Sequence, residues 1–153
     1  MQKELCTFFP TPKHLRKWFE RNHNKEKELL AGFYKVSTGK PTITWSQSVD
    51  EALCFGWIDG IRRSVDEESY CIRFTPRNPK SNWSAVNIKK VEDLTKLGLM
   101  KQEGLKAFSF RKEEKSKIYA YENPEVVFDK PFEKSFMANE KAWDFYQTTT
   151  PTY

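Results

Sequence analysis

Most of the features that announce a chemistry are missing from this chain. No apolar run approaches the roughly 20 residues a membrane-spanning helix needs, so no span is expected. The opening MQKELCTFFPTPKHL has no apolar stretch of signal-peptide length and no small-residue cleavage site, which makes the cytoplasm the expected location. Cysteine is scarce. Cys6, Cys54 and Cys71 lack metal spacing and leave one odd thiol, which suits a reducing compartment and argues against a disulfide framework. Both histidines, His14 and His23, fall in the N-terminal helical region, and His14 follows Thr11 by three residues, where it can help a helix start. There is no P-loop, no G-x-G-x-x-G, no G-x-S-x-G and no His/Cys cluster. Internal repeats and low-complexity tracts are also absent. No cofactor and no metal is implied, and an enzyme is the less favoured class.

Aromatic residues and positive charge are what the chain does have. Twelve Phe, six Tyr and five Trp in 153 residues give enough bulk to build one domain core without staples. Net charge is +5, unevenly spread: residues 73–117 carry twelve Lys or Arg against five Asp or Glu, and the remainder fourteen against sixteen. A basic half of this kind favours anionic partners, and equally describes a solvated helix surface.

Local signals predict an α+β domain over 1–153, with a small antiparallel sheet of hairpins packed against several helices. Thr11-Pro12 reads as N-cap and first helical position, with Leu15, Trp18 and Phe19 on one face and Asn22-His23-Asn24 at the end. Residues 31–37 and 42–45 read as two short strands joined at Thr38-Gly39-Lys40-Pro41. Ser48 with Glu51 forms a capping-box pattern for a short helix that buries Val49, Ala52 and Leu53 and stops at Gly56. A hairpin follows, 57–65 and 69–75, turning at Asp66-Glu67-Glu68; Tyr70, Ile72 and Phe74 alternate in its second strand and put Arg73 away from the core. Residues 75–80 hold two prolines and are irregular. Ser81 then caps a helix to about Leu97, with Trp83, Val86, Val91, Leu94 and Leu97 as its stripe and Gly98 as its stop. A helix over 101–116 buries Leu105 and Phe108, residues 118–138 are irregular around Pro124 and Pro131, and a short helix covers 139–147.

The run ALCFGWIDG at 52–60, followed by FTPRNPKSNWSAVN at 74–87, resembles the YdeI/OmpD-associated (bacteriocin-protection) family: a helix ending in GWIDG, then a TPR element and an S-x-W-S-x-x-N helix start. A Trp-containing first helix, FYKVSTGK, Gly-Leu-Met before the next helix, and Ala142-Trp143 through Pro151-Thr152-Tyr153 agree in order, so the resemblance spans nearly the whole chain. It implies a small bacterial or archaeal protein linked by name to resistance against antibacterial peptides, with no settled activity. Members of that family continue past the tyrosine into a basic helical tail, which residues 1–153 lack.

The densest part of the resemblance is also the expected site. Asp59, flanked by Arg62, Arg63 and Arg73, either holds a cation or hydrogen-bond donor or makes a buried structural bond; it is also the weak candidate for a catalytic group. Arg77, presented by Pro76, either clamps a phosphate or carboxylate bidentately or pairs with Asp59 or a carbonyl. Ser81, Ser84 and the following helix-start amides would complete an anion site, or Ser81 is only a cap. Trp45, Trp57 and Trp83 either stack against an aromatic ligand or wall the core, and Asn87 is a latch or a ligand contact. Cys54 sits mid-helix as a buried, inert thiol. The reading favoured by these residues is a binding cleft walled by Trp57 and Trp83 and charged by Arg73, Arg77 and Lys80. Its ligand is a nucleic acid strand, a nucleotide or another phosphorylated molecule. The alternatives are an enzyme using Asp59 and an interaction protein that forms a homodimer through its aromatic surface.

Overall fold

Pro12 opens the first helix, α1 (Pro12–Asn22), because its fixed φ suits that position and its missing amide has no partner there to lose. Thr11 precedes it in an extended conformation, and its hydroxyl shares a 2.8 Å hydrogen bond with His14 Nδ1 instead of capping a backbone amide. Leu15 and Phe19 are fully buried and Trp18 packs beside them. The computed structural model describes residues 3–116 and 130–148.

The sheet has four strands in the order β1 (Thr7–Phe8), β2 (Leu29–Tyr34), β4 (Ser69–Pro76), β3 (Trp57–Ser64). The β3–β4 hairpin lies within one residue of its predicted bounds. The sheet is mixed, however, because the two-residue edge strand β1 runs parallel to β2. No strand forms at 42–45; β2 pairs instead with β4 on one side and β1 on the other. The predicted partner is lost to a helix start. Thr44 Oγ1 accepts from the Gln47 amide at 3.2 Å while the Thr44 amide donates to Gln47 Oε1 at 3.0 Å. This reciprocal capping box begins α2 (Trp45–Cys54) well before Ser48, whose hydroxyl donates to the Trp45 carbonyl inside the helix.

Helix α2 is the element against which the others assemble, touching α1, β3, α3 (Ala85–Lys96) and α4 (Gln102–Ser109). Val49, Ala52 and Leu53 are buried on it, as their spacing predicts, and Gly56 adopts φ +75° just past its end. Helix α3 (Ala85–Lys96) is capped by Ser84, not Ser81: Ser84 Oγ accepts from the Asn87 amide at 3.1 Å. The earlier start fails because the Trp83 amide is taken by the Lys115 carbonyl at 3.0 Å, holding Trp83 in a bridge to Ser116. The stripe therefore runs Ile88, Val91, Leu94, while Val86 and Leu97 are exposed; Gly98, at φ +69°, ends the helix as expected.

Helix α4 (Gln102–Ser109) is shorter than predicted and followed by a 3-10 turn, Glu113–Lys115. It docks through backbone. A Cβ on Gly104 would lie 2.5 Å from the Leu53 carbonyl oxygen and closer still to that of Cys54, and the Lys101 amide donates to the Cys54 carbonyl at 3.0 Å. This contact turns Leu105 outward, leaving it exposed, while Phe108 packs edge-on against Trp83 at 5.1 Å.

These elements belong to one compact unit, residues 1–118; a second comprises residues 119–153. In the second, α5 (Lys130–Met137) and α6 (Glu140–Thr148) pack through Phe136, whose ring meets Trp143 at 5.9 Å and Tyr146 at 5.5 Å. Irregular chain was predicted as far as 138, but Pro131 sits in the first turn of α5, where a helix tolerates it. The predicted irregularity at Pro124 and the Pro151-Thr152-Tyr153 ending lie outside the described residues. Among the described residues no helix is long and apolar enough to cross a membrane.

Candidate functional site

The predicted site residues divide into three places. Trp57 and Trp83 are 1% and 2% exposed, so both are core side chains. Trp57 donates its indole N–H to the His23 carbonyl at 3.3 Å and packs edge-on against Trp18 and Phe19. Burying a side chain of this size contributes roughly 1.5–3 kcal/mol or more. The exposed tryptophan is Trp45, which leads α2 and donates to Asp59 Oδ2 at 2.9 Å. That bond gives Asp59 a structural partner. Two of the three arginines predicted to flank Asp59 engage other groups: Arg73 Nε donates to Glu28 Oε2 at 2.8 Å, and the Arg62 guanidinium lies 3.7 Å from the Tyr70 ring centroid. A register shift in β3 falls between Asp59 and Arg62.

The remaining residues stay together on the loop from β4 to α3. The Arg77 guanidinium carbon lies over Trp83, 3.6 Å from the ring centroid, and Nη2 donates to the Asn82 carbonyl at 2.6 Å. A desolvated cation–π contact of this kind is worth about 2 kcal/mol, so Arg77 helps hold its own loop in place. Asn78 organises the next residues, its Oδ1 accepting from the Lys80 amide at 2.9 Å and its carbonyl from the Ser81 amide at 2.9 Å. The Ser81 hydroxyl is buried with no hydrogen-bond partner among the described residues. Ser84 occupies the helix start that was predicted to be open to an anion, and Asn87 contributes its amide to that cap.

A cleft of about 270 Å³ opens beside this loop. Its walls come from the end of α1 (His23), the α2–β3 turn (Phe55, Gly56), the loop (Arg77) and α4 (Glu103, Lys106), with Trp57 contributing to the lining. Gly56 makes this closeness possible, since a Cβ there would lie 2.8 Å from the Glu103 carbonyl oxygen. The Arg77 amide donates to the Gly56 carbonyl at 2.9 Å, tying the loop to the same turn. Phe55 stacks on Phe19 with ring centroids 5.4 Å apart, so the apolar wall is fixed by the core.

His23 is held in the cleft by the backbone of α1. Its Nδ1 lies 2.7 Å from the Phe19 carbonyl, which can only accept, so Nδ1 carries the proton. The second nitrogen, Nε2, is then the acceptor of the neutral ring and stands 3.6 Å from Glu103 Oε1. When protonated, His23 pairs with Glu103; when neutral, it can take a proton or accept a hydrogen bond. The lining residues include two permanent cations, Lys106 and Arg77, whose Nε and Nη1 are buried, together with one carboxylate and one imidazole. Sequence reasoning missed His23, Glu103 and Lys106 because they meet through the docking of α4 on α2, which leaves no local trace.

Nearby buried groups are structural. Arg16 joins Glu51 at 2.7 Å and donates to the Leu99 carbonyl at 2.6 Å. Burial nevertheless pushes the Glu51 carboxyl above its usual range, with Arg16 opposing, while Glu51 helps keep Arg16 charged. Burial also pushes up the Cys54 thiol, which fits an inert core cysteine. Among the described residues no three His, Cys, Asp or Glu side chains gather as metal ligands.

No curated protein and no solved structure matches the chain. Residues 7–107 match a family model described as a domain of unknown function (DUF8412). That stretch runs from β1 into α4 and includes His23, Gly56, Arg77, Glu103 and Lys106. With about two thirds of its length inside the match, the chain belongs to the DUF8412 family.

Proposed function

We propose that this domain binds a small anion, phosphorylated or of nucleotide size, in the cleft formed by His23, the Gly56 turn, the Arg77 loop and α4. The observation that carries this reading is the convergence of Arg77, Lys106 and His23 on one concave, aromatic-walled space. Arg77 is already held by Trp83 and Asn82, so little side-chain entropy is lost when charge arrives beside it. The volume of about 270 Å³ lies just below the roughly 300–1,000 Å³ typical of small-molecule sites. It favours one compact ligand over a nucleic acid strand at this place. Binding without catalysis is the simpler reading, because Asp59, the catalytic candidate, is engaged by Trp45. The GWIDG, TPR and S-x-W-S motifs support reading the chain as akin to the YdeI/OmpD-associated proteins.

Calorimetric titration with inorganic phosphate and pyrophosphate at low ionic strength tests the proposal. Lys106 is exposed and Lys106→Glu is expected to weaken binding about tenfold or more, with the melting temperature unchanged. Binding that survives Lys106→Glu intact would place the anion elsewhere. Arg77→Ala is a poorer test, since it also removes the contact with Trp83.

A further inference from the structure

A second cleft, of about 340 Å³, lies along α1 and carries a different chemistry. Its apolar wall is made by Phe8 and Phe9 from the N-terminal segment and by Trp18 from the helix. All three are fixed: Phe8 stacks on Tyr34 with centroids 4.5 Å apart, Phe9 is 5% exposed, and Trp18 packs edge-on against Phe19 and Trp57. Along the rim stand His14, Lys17 and Arg21, spaced three and four residues apart so that they share one side of α1 with Trp18. None of the described residues lining the cleft is acidic.

The charge of this cleft is one-sided. Some cations of the same unit are answered, Lys3 by Asp66, Arg16 by Glu51, Arg73 by Glu28, Lys89 by Asp93 and Lys90 by Asp50, but those of the cleft rim are not. Lys17 and Arg21 are exposed, and no described carboxylate lies within ion-pair distance of either. Two like charges four residues apart destabilise a helix by a few tenths of a kcal/mol. Here that cost falls on both sides of a half-buried indole that faces a phenylalanine wall. A flat ring bearing a phosphate is the ligand chemistry that answers both features, since bases stack on aromatic side chains and phosphate answers paired cations.

We propose that this cleft binds a nucleotide unit, its base against Trp18 and the phenylalanine wall and its phosphate on Lys17 and Arg21. The unit is either a free nucleotide or one residue of a single strand. This inference stands apart from the anion cleft at Arg77 and Lys106, and separate variants test the two.

The experiment is a tryptophan-fluorescence titration of the full chain with AMP and, separately, with a short oligoadenylate, over a range of salt. Saturable quenching by AMP is expected, lost in Trp18→Phe and weakened about tenfold in Lys17→Glu and Arg21→Glu. It should be unchanged in Lys106→Glu. Oligoadenylate that binds more tightly than AMP, with log affinity falling by about 0.7 per phosphate for each decade of salt, assigns the site to a strand. Equal affinity and equal salt dependence assign it to the free nucleotide. Absence of quenching by both ligands at low salt overturns the inference. So does quenching that survives Lys17→Glu and Arg21→Glu, or that is lost only in Lys106→Glu.

Discussion

Asp66 shows how one side chain can set the behaviour of a hairpin. Its carboxylate accepts from Lys3 Nζ at 2.8 Å, the Ser69 hydroxyl at 2.6 Å and the Glu68 amide at 3.0 Å. The bond from Lys3, then that from Ser69, holds its carboxyl well below the ordinary value of 3.8. Because the folded pKa is depressed, the stabilisation is present above that ordinary value and is lost as pH falls through the folded one. Protection of the amides at the β3–β4 turn against exchange, corrected for the intrinsic rate, is therefore expected to fall below about pH 4. Asp66→Asn should flatten that pH dependence. An acid limb unchanged in Asp66→Asn would show that other carboxylates control it. Cys71 gives a second test at this scale: burial, aided by a hydrogen bond involving Cys6, pushes its thiol up to about 12. A thiol reagent at mildly alkaline pH is expected to leave Cys54 and Cys71 unmodified until denaturant is added. Reaction of either buried thiol in the native protein would contradict the burial described for them.

Between elements, the decisive contact is backbone on backbone. Gly104 lets α4 rest on the carbonyls that end α2, and Gly56 lets the turn below come up to Glu103. Gly104→Ala would drive a methyl group into the Leu53 and Cys54 carbonyl oxygens, neither of which can rotate away. A loss of about 1–3 kcal/mol or more is expected, read as a lowered melting temperature together with weakened phosphate binding, because the same contact builds the cleft. A variant as stable as the parent would show that α4 is not held there. This contact was not legible in the sequence, which predicts burial of Leu105. What was legible follows local rules: Pro12 at a helix start, alternation through Tyr70, Ile72 and Phe74, and glycines at the stops of α2 and α3. Two helix starts were misplaced for one reason. Thr44-x-x-Gln47 and Ser48-x-x-Glu51 both match a capping box, and Ser81 and Ser84 both suit an N-cap. The choice at Ser84 is made by the Lys115 carbonyl on the Trp83 amide, a bond no local window contains.

For the molecule as a whole, the basic half read from the sequence supplies the Arg77 loop and two of the helices packed on α2. The sequence pointed to the loop at 77–87 but not to its cleft neighbours, since His23 and Glu103 are eighty residues apart in the chain. Charge alone would have kept Arg73 in the site, whereas strand alternation turns it toward Glu28. In the proposed function, an anion enters between His23, Arg77 and Lys106. The most direct measurement is an NMR titration of the isotopically labelled protein with pyrophosphate at low salt, following backbone amides. Saturable shifts are expected at residues 23–24, 55–57, 77–79 and 103–107, and they should disappear in Lys106→Glu. Shifts confined to other parts of the chain, or none at any concentration of pyrophosphate, would contradict it.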